Sequence, residues 1–389
     1  MIAPHPNLDV LAVSHADAPW GAERRLLDLA PALGELGVTL VLCSPPGALA
    51  DTWRGAGLRW VPSPSVDRAG LRRPDGRRAR PVTMAAEAWA TARASWRVAR
   101  LARRLDVDLL HSHALNAHAE VALAARLARR PAVLDLHDIV MPGLGRRVLA
   151  GAARLADSVI ANSAATASTV VGARVTVVNP GVDRTRFVPG PADPALRAEL
   201  AVDTDAPLVA ILGRVDPEKG IDVVLRAVAR LDGELAAAQV VVVGAPNVAD
   251  EAFDDGLRSL GRELLGDRAR FVGARDDVPA VLRAVDVVVN ASRAEPFGRT
   301  VLEAQSSGVP VIGTDSGGIP EFVVQGESGL LVPPGDPDAL AAALSRVLGD
   351  PAARARLIAG GLEVADARTV PAQAAKVADV YRAAVSRRG

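Results

Sequence analysis

The sequence predicts an α/β protein built from two doubly wound, parallel-sheet domains. Three observations carry that expectation. The chain has 389 residues, more than one ordinary core absorbs and comfortable for two domains. Short apolar segments alternate with amphipathic, alanine-rich helical stretches, the pattern of a parallel sheet covered by helices on both faces. The alternation starts afresh after a Pro/Gly-rich stretch near the middle of the chain.

In the first half, 8–13, 38–43, 108–111, 132–136, 158–161 and 175–178 read as strands, with helical patterns at 23–36, 85–104 and 117–128. In the second half, 208–212, 240–243, 269–272, 287–290, 309–313 and 329–332 repeat the theme. Phe187-Val188-Pro189-Gly190-Pro191-Ala192-Asp193-Pro194 marks the break, so the linker is placed near 189–206. The expected domains are 1–189 and 190–370. A last helix, 371–389, can pack on either of them.

Composition removes several function classes. Formal net charge is zero, which gives no global bias toward nucleic acid or anionic membrane. Aromatics make up 3% of the residues, too few for stacking platforms along a single strand of nucleic acid. No apolar run approaches the ~20 residues that span a bilayer. The N-terminus lacks the pattern of a secretory leader. Cys43 is the sole cysteine, so there is no internal disulfide. A cytoplasmic protein is expected. The abundance of Ala and Arg suggests a GC-rich bacterial source.

Basic residues are almost all arginine; the only lysines are Lys219 and Lys376. Residues 68–80 carry six arginines, read either as a solvated loop or as a contact for an anionic or membrane-surface acceptor. In the helix that follows, Trp89 and Trp96 lie one heptad apart and are expected to face the core.

The chemistry gathers in the second half. Glu295 follows the strand at 287–290, at the carboxyl edge where open α/β sheets bind ligands. Glu303 comes eight residues later, about two helical turns on and ~10 Å away. Two carboxylates so spaced can take hydroxyls from different parts of one extended ligand. The backbone N–H groups of Phe297, Gly298, Arg299 and Thr300 open the helix between them and suit oxyanions. A helix-capping Glu with a surface Glu is the bland alternative. Gly213-Arg214 through Lys219-Gly220 follows the strand at 208–212. Its Arg and Lys, five apart, can clamp a diphosphate and stabilise the charge that grows as it leaves. Gly317-Gly318, after the strand at 309–313, lets backbone approach a ligand closely.

These residues resemble glycosyltransferase family 4, a retaining family built on the GT-B fold, two Rossmann-like domains facing across a cleft. Glu295 to Glu303 is similar to its E-x7-E motif, and Gly213-Arg214 through Lys219-Gly220 to its G-R-x4-K-G. The stretch 315–331 resembles its Gly-Gly loop. In the first half, Trp20-Gly21-Ala22-Glu23-Arg24 resembles the loop that approaches the donor phosphate, with Trp20 where a glycine is common. His111-Ser112-His113 and His137-Asp138 are similar to histidines at strand ends in the family. The resemblance implies that Glu295 contacts donor-sugar hydroxyls and Glu303 the ribose. It puts Arg214 and Lys219 on the diphosphate and His137 near the reacting sugar, with Gly21, His113 and Gly213 in the donor site. It implies a nucleoside diphosphate sugar (UDP before GDP), a small-molecule or lipid-linked hydroxyl acceptor, and neither metal nor cofactor.

The side chains of His111 and His113 are expected on opposite faces of a strand, which disfavours a shared zinc. Asp106-Val107-Asp108 is read as a helix-to-strand turn and not as a metal motif. Phosphate loops of the P-loop or dinucleotide type are absent. Three readings stand: glycosyl transfer, a sugar phosphorylase or nucleotide-sugar epimerase on the same scaffold, and a non-catalytic sugar-nucleotide-binding protein.

Overall fold

The computed structural model describes residues 7–19, 21–64, 81–246 and 251–388. Trp20 and the arginine-rich stretch 68–80 lie outside them. The chain divides into two units, Met1–Pro180 with Val370–Gly389, and Gly181–Thr369.

The first unit holds a seven-stranded sheet: β1 (Leu8–Val13), β2 (Val38–Ser44), β3 (Arg59–Pro62), β4 (Leu109–Ser112), β5 (Ala132–Leu136), β6 (Ser158–Ala161) and β7 (Val175–Val177). Its order is β3-β2-β1-β4-β5-β6-β7, all parallel. The strand direction of travel reverses at β1, which lies between β2 and β4, the doubly wound topology. In the second unit, β8 (Leu208–Leu212), β9 (Gln239–Val243), β10 (Ala269–Gly273), β11 (Val287–Asn290), β12 (Val311–Thr314) and β13 (Leu330–Val332) run in the order β10-β9-β8-β11-β12-β13, again all parallel. The central strands are apolar and buried on both faces, because helices cover the two sides of each sheet.

β3 was not among the expected strands. It is a four-residue edge strand whose residues are exposed or half-buried, so it lacks the apolar run that marks its neighbours. The unit boundary also differs from the expected one. Residues from Gly181 onward already belong to the second unit: Val182 bridges to Thr369, Phe187 is buried in the second core, and Arg184 donates to the Ser306 carbonyl at 2.8 Å. The Pro/Gly-rich stretch is thus a strap laid over the second unit, and helix Pro194–Leu200 follows it. The C-terminal helix Val370–Ser386 packs on helix Gly21–Glu35 of the first unit, with Tyr381 buried in that core.

Trp89 and Trp96 do not face the core; they are 72% and 55% exposed. The stripe of helix Pro81–Leu105 that turns inward is Ala94, Ser95, Val98, Ala99 and Ala102. Those small residues let helix His118–Ala128 approach closely, and the tryptophans fall on the opposite side. Among the described residues no helix is long and apolar enough to cross a membrane.

Glycine is required where loops of the second unit touch. Gly220 has φ +62°, and a Cβ there would stand 2.2 Å from the Ala291 carbonyl oxygen. Gly233, with φ +57°, has nothing within 4 Å. Gly233→Ala should therefore cost only the ~1–2 kcal/mol of left-handed backbone strain. Gly220→Ala should cost clearly more, because a main-chain atom must move. Equal losses in urea unfolding would show that the Gly220–Ala291 contact does not constrain the loops.

Candidate functional site

Each unit gathers polar side chains where its strands end, since a parallel sheet delivers all its carboxyl ends to one edge. In the second unit the centre is Glu295. Buried strand β11 ends at Asn290, and the chain then turns so that the Glu295 carboxylate comes back over it. Oε2 of Glu295 accepts from Lys219 Nζ at 2.8 Å, Ser292 Oγ at 2.8 Å and Asn290 Nδ2 at 3.2 Å. Glu295 is nine-tenths buried. Burial alone would raise its pKa; the Lys219 charge and hydrogen bond, with Ser292 and Asn290, hold it below the ordinary value.

Three loops are locked around this carboxylate. Arg293 N donates to the Glu218 carbonyl at 2.8 Å, tying the loop after β11 to the loop after β8. Gly318 N donates to the Glu295 carbonyl at 2.8 Å, and Thr314 Oγ1 to the Ser292 carbonyl at 2.7 Å. A Cβ on Gly317 would stand 2.0 Å from the Glu295 carbonyl oxygen. The close approach expected of Gly317-Gly318 is therefore made to Glu295 itself. Gly298, at φ +99°, starts helix Arg299–Ser306 with its Cβ position 3.6 Å from Glu295 Cγ. Gly213 lies beside Lys219 Cε.

The other residues singled out in this unit take separate places. Arg214 is 60% exposed and lies 3.6 Å from Asp216. Arg299 donates to Glu303 across one helical turn at 3.3 Å. Phe297 is buried and stacks on Phe322 with ring centroids 4.7 Å apart, so only its backbone is left for a ligand. Thr300 is half-buried on the first turn.

In the first unit the centre is Asp135, an acid in the middle of a buried strand. Arg25 Nη1 lies 3.2 Å from both of its oxygens and 3.0 Å from His137 Nδ1. A guanidinium can only donate, so His137 Nδ1 accepts and the ring proton sits on Nε2. His113 Nε2 donates to the Ala22 carbonyl at 2.7 Å, next to Gly21. Its Nδ1 then faces His111 Nε2 at 3.2 Å, and His111 Nδ1 accepts from the Tyr381 hydroxyl at 2.9 Å. The expectation that His111 and His113 point to opposite faces fails for a simple reason: successive side chains alternate, so residues two apart share a face, and the two rings stack with centroids 5.5 Å apart. Burial pushes His111 down to about 3 and His137 well below its usual range. For Asp135 burial would act upward, but Arg25 and the neighbouring histidines hold it well below the carboxylate range.

Among the described residues, His111, His113 and Asp135 form a group whose ligand atoms all lie within 4.8 Å of one another, close enough for an ion. Arg25 Nη1 already faces the Asp135 carboxylate, and His113 Nε2 is engaged with the Ala22 carbonyl. Asp108 of the D-x-D accepts from Asp9 N at 2.8 Å and ties β1 to β4, a structural role. Asn290, Ser292, Arg25, Asp135 and Tyr381 were not singled out from the sequence. The available signal was a polar residue inside or just past a buried strand, as at Asp135, Asn290 and Ser292; Arg25 and Tyr381 carried none.

Asp135→Asn would leave the buried Arg25 without its counter-ion, at a cost of ~3–5 kcal/mol at neutral pH. A carboxylate with a depressed folded pKa stabilises above its unfolded value and loses that contribution as pH falls through the folded one. The gap between wild type and variant should therefore be full at neutral pH and narrow below about pH 4. A gap that stays constant through that range in urea titrations would contradict the assignment.

Sequence and structure comparisons agree on a family. The family described as "Glycosyl transferases group 1" matches residues 193–364, and "Glycosyltransferase Family 4" matches residues 20–186. The D-inositol 3-phosphate glycosyltransferase of Streptomyces avermitilis is 33% identical over 306 residues, 76% of this chain and 64% of that protein. Its counterpart from Kineococcus radiotolerans is 35% identical over 324 residues, 77% of this chain and 71% of that protein. The match thus spans about two thirds of those relatives' length. HepE of Anabaena, solved in complex with UDP, superposes with a TM-score of 0.80 at 25% identity, over 96% of this chain and 99% of that one. Sucrose-phosphate synthase of Thermosynechococcus elongatus superposes at 0.75, over 97% and 98% of the chains, with 24% identity, a likeness of fold. Both units carry the parallel sheets of the GT-B fold, both are matched by the family descriptions, and the chain belongs to glycosyltransferase family 4.

Proposed function

We propose that the chain transfers a hexose from a nucleoside diphosphate sugar to a hydroxyl acceptor, with retention of anomeric configuration and without a metal ion. The observation that carries this reading is the Lys219–Glu295 pair at the edge of the second sheet, a cation and a carboxylate joined at 2.8 Å. UDP is favoured over GDP because HepE of Anabaena was solved with UDP and with UDP-glucose. The relatives' names carry an inositol phosphate. For this chain the acceptor is assigned at the level of a hydroxyl on a small molecule or lipid-linked glycoconjugate. The single cysteine, Cys43, is buried and fits the cytoplasm as the place of action.

In this reading Glu295 keeps Oε2 on its three donors and offers Oε1 to a sugar hydroxyl. Lys219 and the exposed Arg214 supply positive charge to the diphosphate, helped by the first backbone N–H groups of helix Arg299–Ser306. Glu303 accepts from the ribose. The bond from the anomeric carbon to the phosphate breaks and the bond to the acceptor oxygen forms on the same face. The acceptor proton passes to the departing phosphate oxygen, so neither a protein nucleophile nor a metal is required. His137, assigned near the reacting sugar, is held by Arg25 as its Nε2–H tautomer; its ring is a donor and not a base. His113 fixes the backbone beside Gly21, the residue assigned to the donor-phosphate loop.

Proton NMR of product made from a UDP-hexose should show the anomeric configuration of the donor, and inversion would overturn the mechanism. Full turnover is expected in chelator; its abolition by EDTA would contradict the metal-free account. Lys219→Ala should lower kcat/KM by ~2–4 kcal/mol of transition-state stabilisation, roughly thirtyfold to a thousandfold. Unchanged kinetics would remove Lys219 from the diphosphate site.

A further inference from the structure

We propose that the outer face of three helices in the first unit, Pro81–Leu105, His118–Ala128 and Leu144–Leu155, docks on an anionic lipid bilayer. The inference does not depend on the transfer reaction proposed above.

The three helices form one layer, the first packed on the second and the second on the third. On the first, Trp89, Arg93, Trp96, Arg100 and Arg103 recur at spacings of four and three residues, a single stripe along one side. All five are exposed. Arg100 lies over the Trp96 ring at 5.7 Å. On the second helix, Leu123, Arg126 and Leu127 are exposed. On the third, Leu144, Arg147, Val148, Arg154 and Leu155 make a stripe of the same kind. Each helix buries small or aliphatic residues toward the sheet and turns large apolar residues, interleaved with arginine, away from it.

Charge is as uneven as hydrophobicity. The three helices carry nine arginines and two glutamates, Glu87 and the fully buried Glu120, in a chain whose formal charge is zero. Among the described residues, Arg93, Arg100, Arg104, Arg147 and Arg154 pair with no carboxylate. Tryptophan and arginine on an amphipathic helical face suit the headgroup boundary, where rings enter the acyl edge and guanidinium groups meet anionic lipid. A second copy of the chain would set this basic face against itself in a symmetric dimer. A nucleic-acid backbone would meet the arginines but offer nothing to Leu123, Leu127 and Val148.

The test is flotation of the full chain with vesicles of phosphatidylcholine alone and of phosphatidylcholine mixed with phosphatidylglycerol, without donor or acceptor. Binding is expected to the anionic vesicles only, and to weaken as salt screens it. Replacing Arg93, Arg100 and Arg104 by Gln should reduce binding on the order of a hundredfold. Trp89→Ser with Trp96→Ser should reduce it at least about tenfold. These side chains are exposed, so melting temperature should hold. Should a variant fail to fold, quenching of wild-type tryptophan fluorescence by brominated lipid reads the same insertion. Wild-type protein that stays off anionic vesicles would overturn the proposal. So would variants that bind as wild type does, or lipid-free dimerisation that the variants abolish.

Discussion

The second unit is organised by one ion pair. Lys219 and Glu295 are 76 residues apart in sequence and 2.8 Å apart in the fold. A carboxylate this buried needs compensation, since desolvation favours its neutral form. Lys219, Ser292 and Asn290 supply that compensation on one oxygen. The loops must then stay where they are, and the glycines explain how: Gly220 lies against the Ala291 carbonyl and Gly317 against that of Glu295. Side-chain electrostatics and backbone shape thus enforce each other. A rigid carboxylate costs little to hold in place at the moment a ligand needs it.

The first unit solves the same problem with different residues. Asp135, inside a buried strand, is balanced by Arg25, and that pairing decides the proton position of His137. One guanidinium nitrogen serves both acceptors, so charge balance and tautomer are a single constraint. His113 continues the network to the Ala22 carbonyl, and His111 continues it to Tyr381 on the C-terminal helix. The C-terminal helix is therefore part of the polar centre of the first unit as well as of its apolar core.

Much of this was legible in the sequence, for definable reasons. Buried parallel strands are apolar on both faces, and eleven of the thirteen lie within a residue or so of where the apolar runs place them; β12 starts two residues later than its run, and β3 was missed because an exposed edge strand carries no such run. Glu295 and Lys219, which the fold brings together, stood out because each follows a strand end in a recognisable local pattern. Arg25 with Asp135, and His111 with Tyr381, were invisible because their partners are 110 and 270 residues away. The tryptophan pair misled because heptad spacing fixes a shared side of a helix but not which side faces inward. Alanine and serine on the other side decided that, and small residues give a weak hydrophobic signal.

The central claim is that Glu295 reads the sugar while Lys219 reads the diphosphate. Calorimetric titration of wild type and Glu295→Gln with UDP and with a UDP-hexose separates the two most directly. The account predicts that wild type gains affinity from the sugar, and that the variant loses this gain while still binding UDP. Loss of UDP binding with the sugar-dependent gain intact would contradict it.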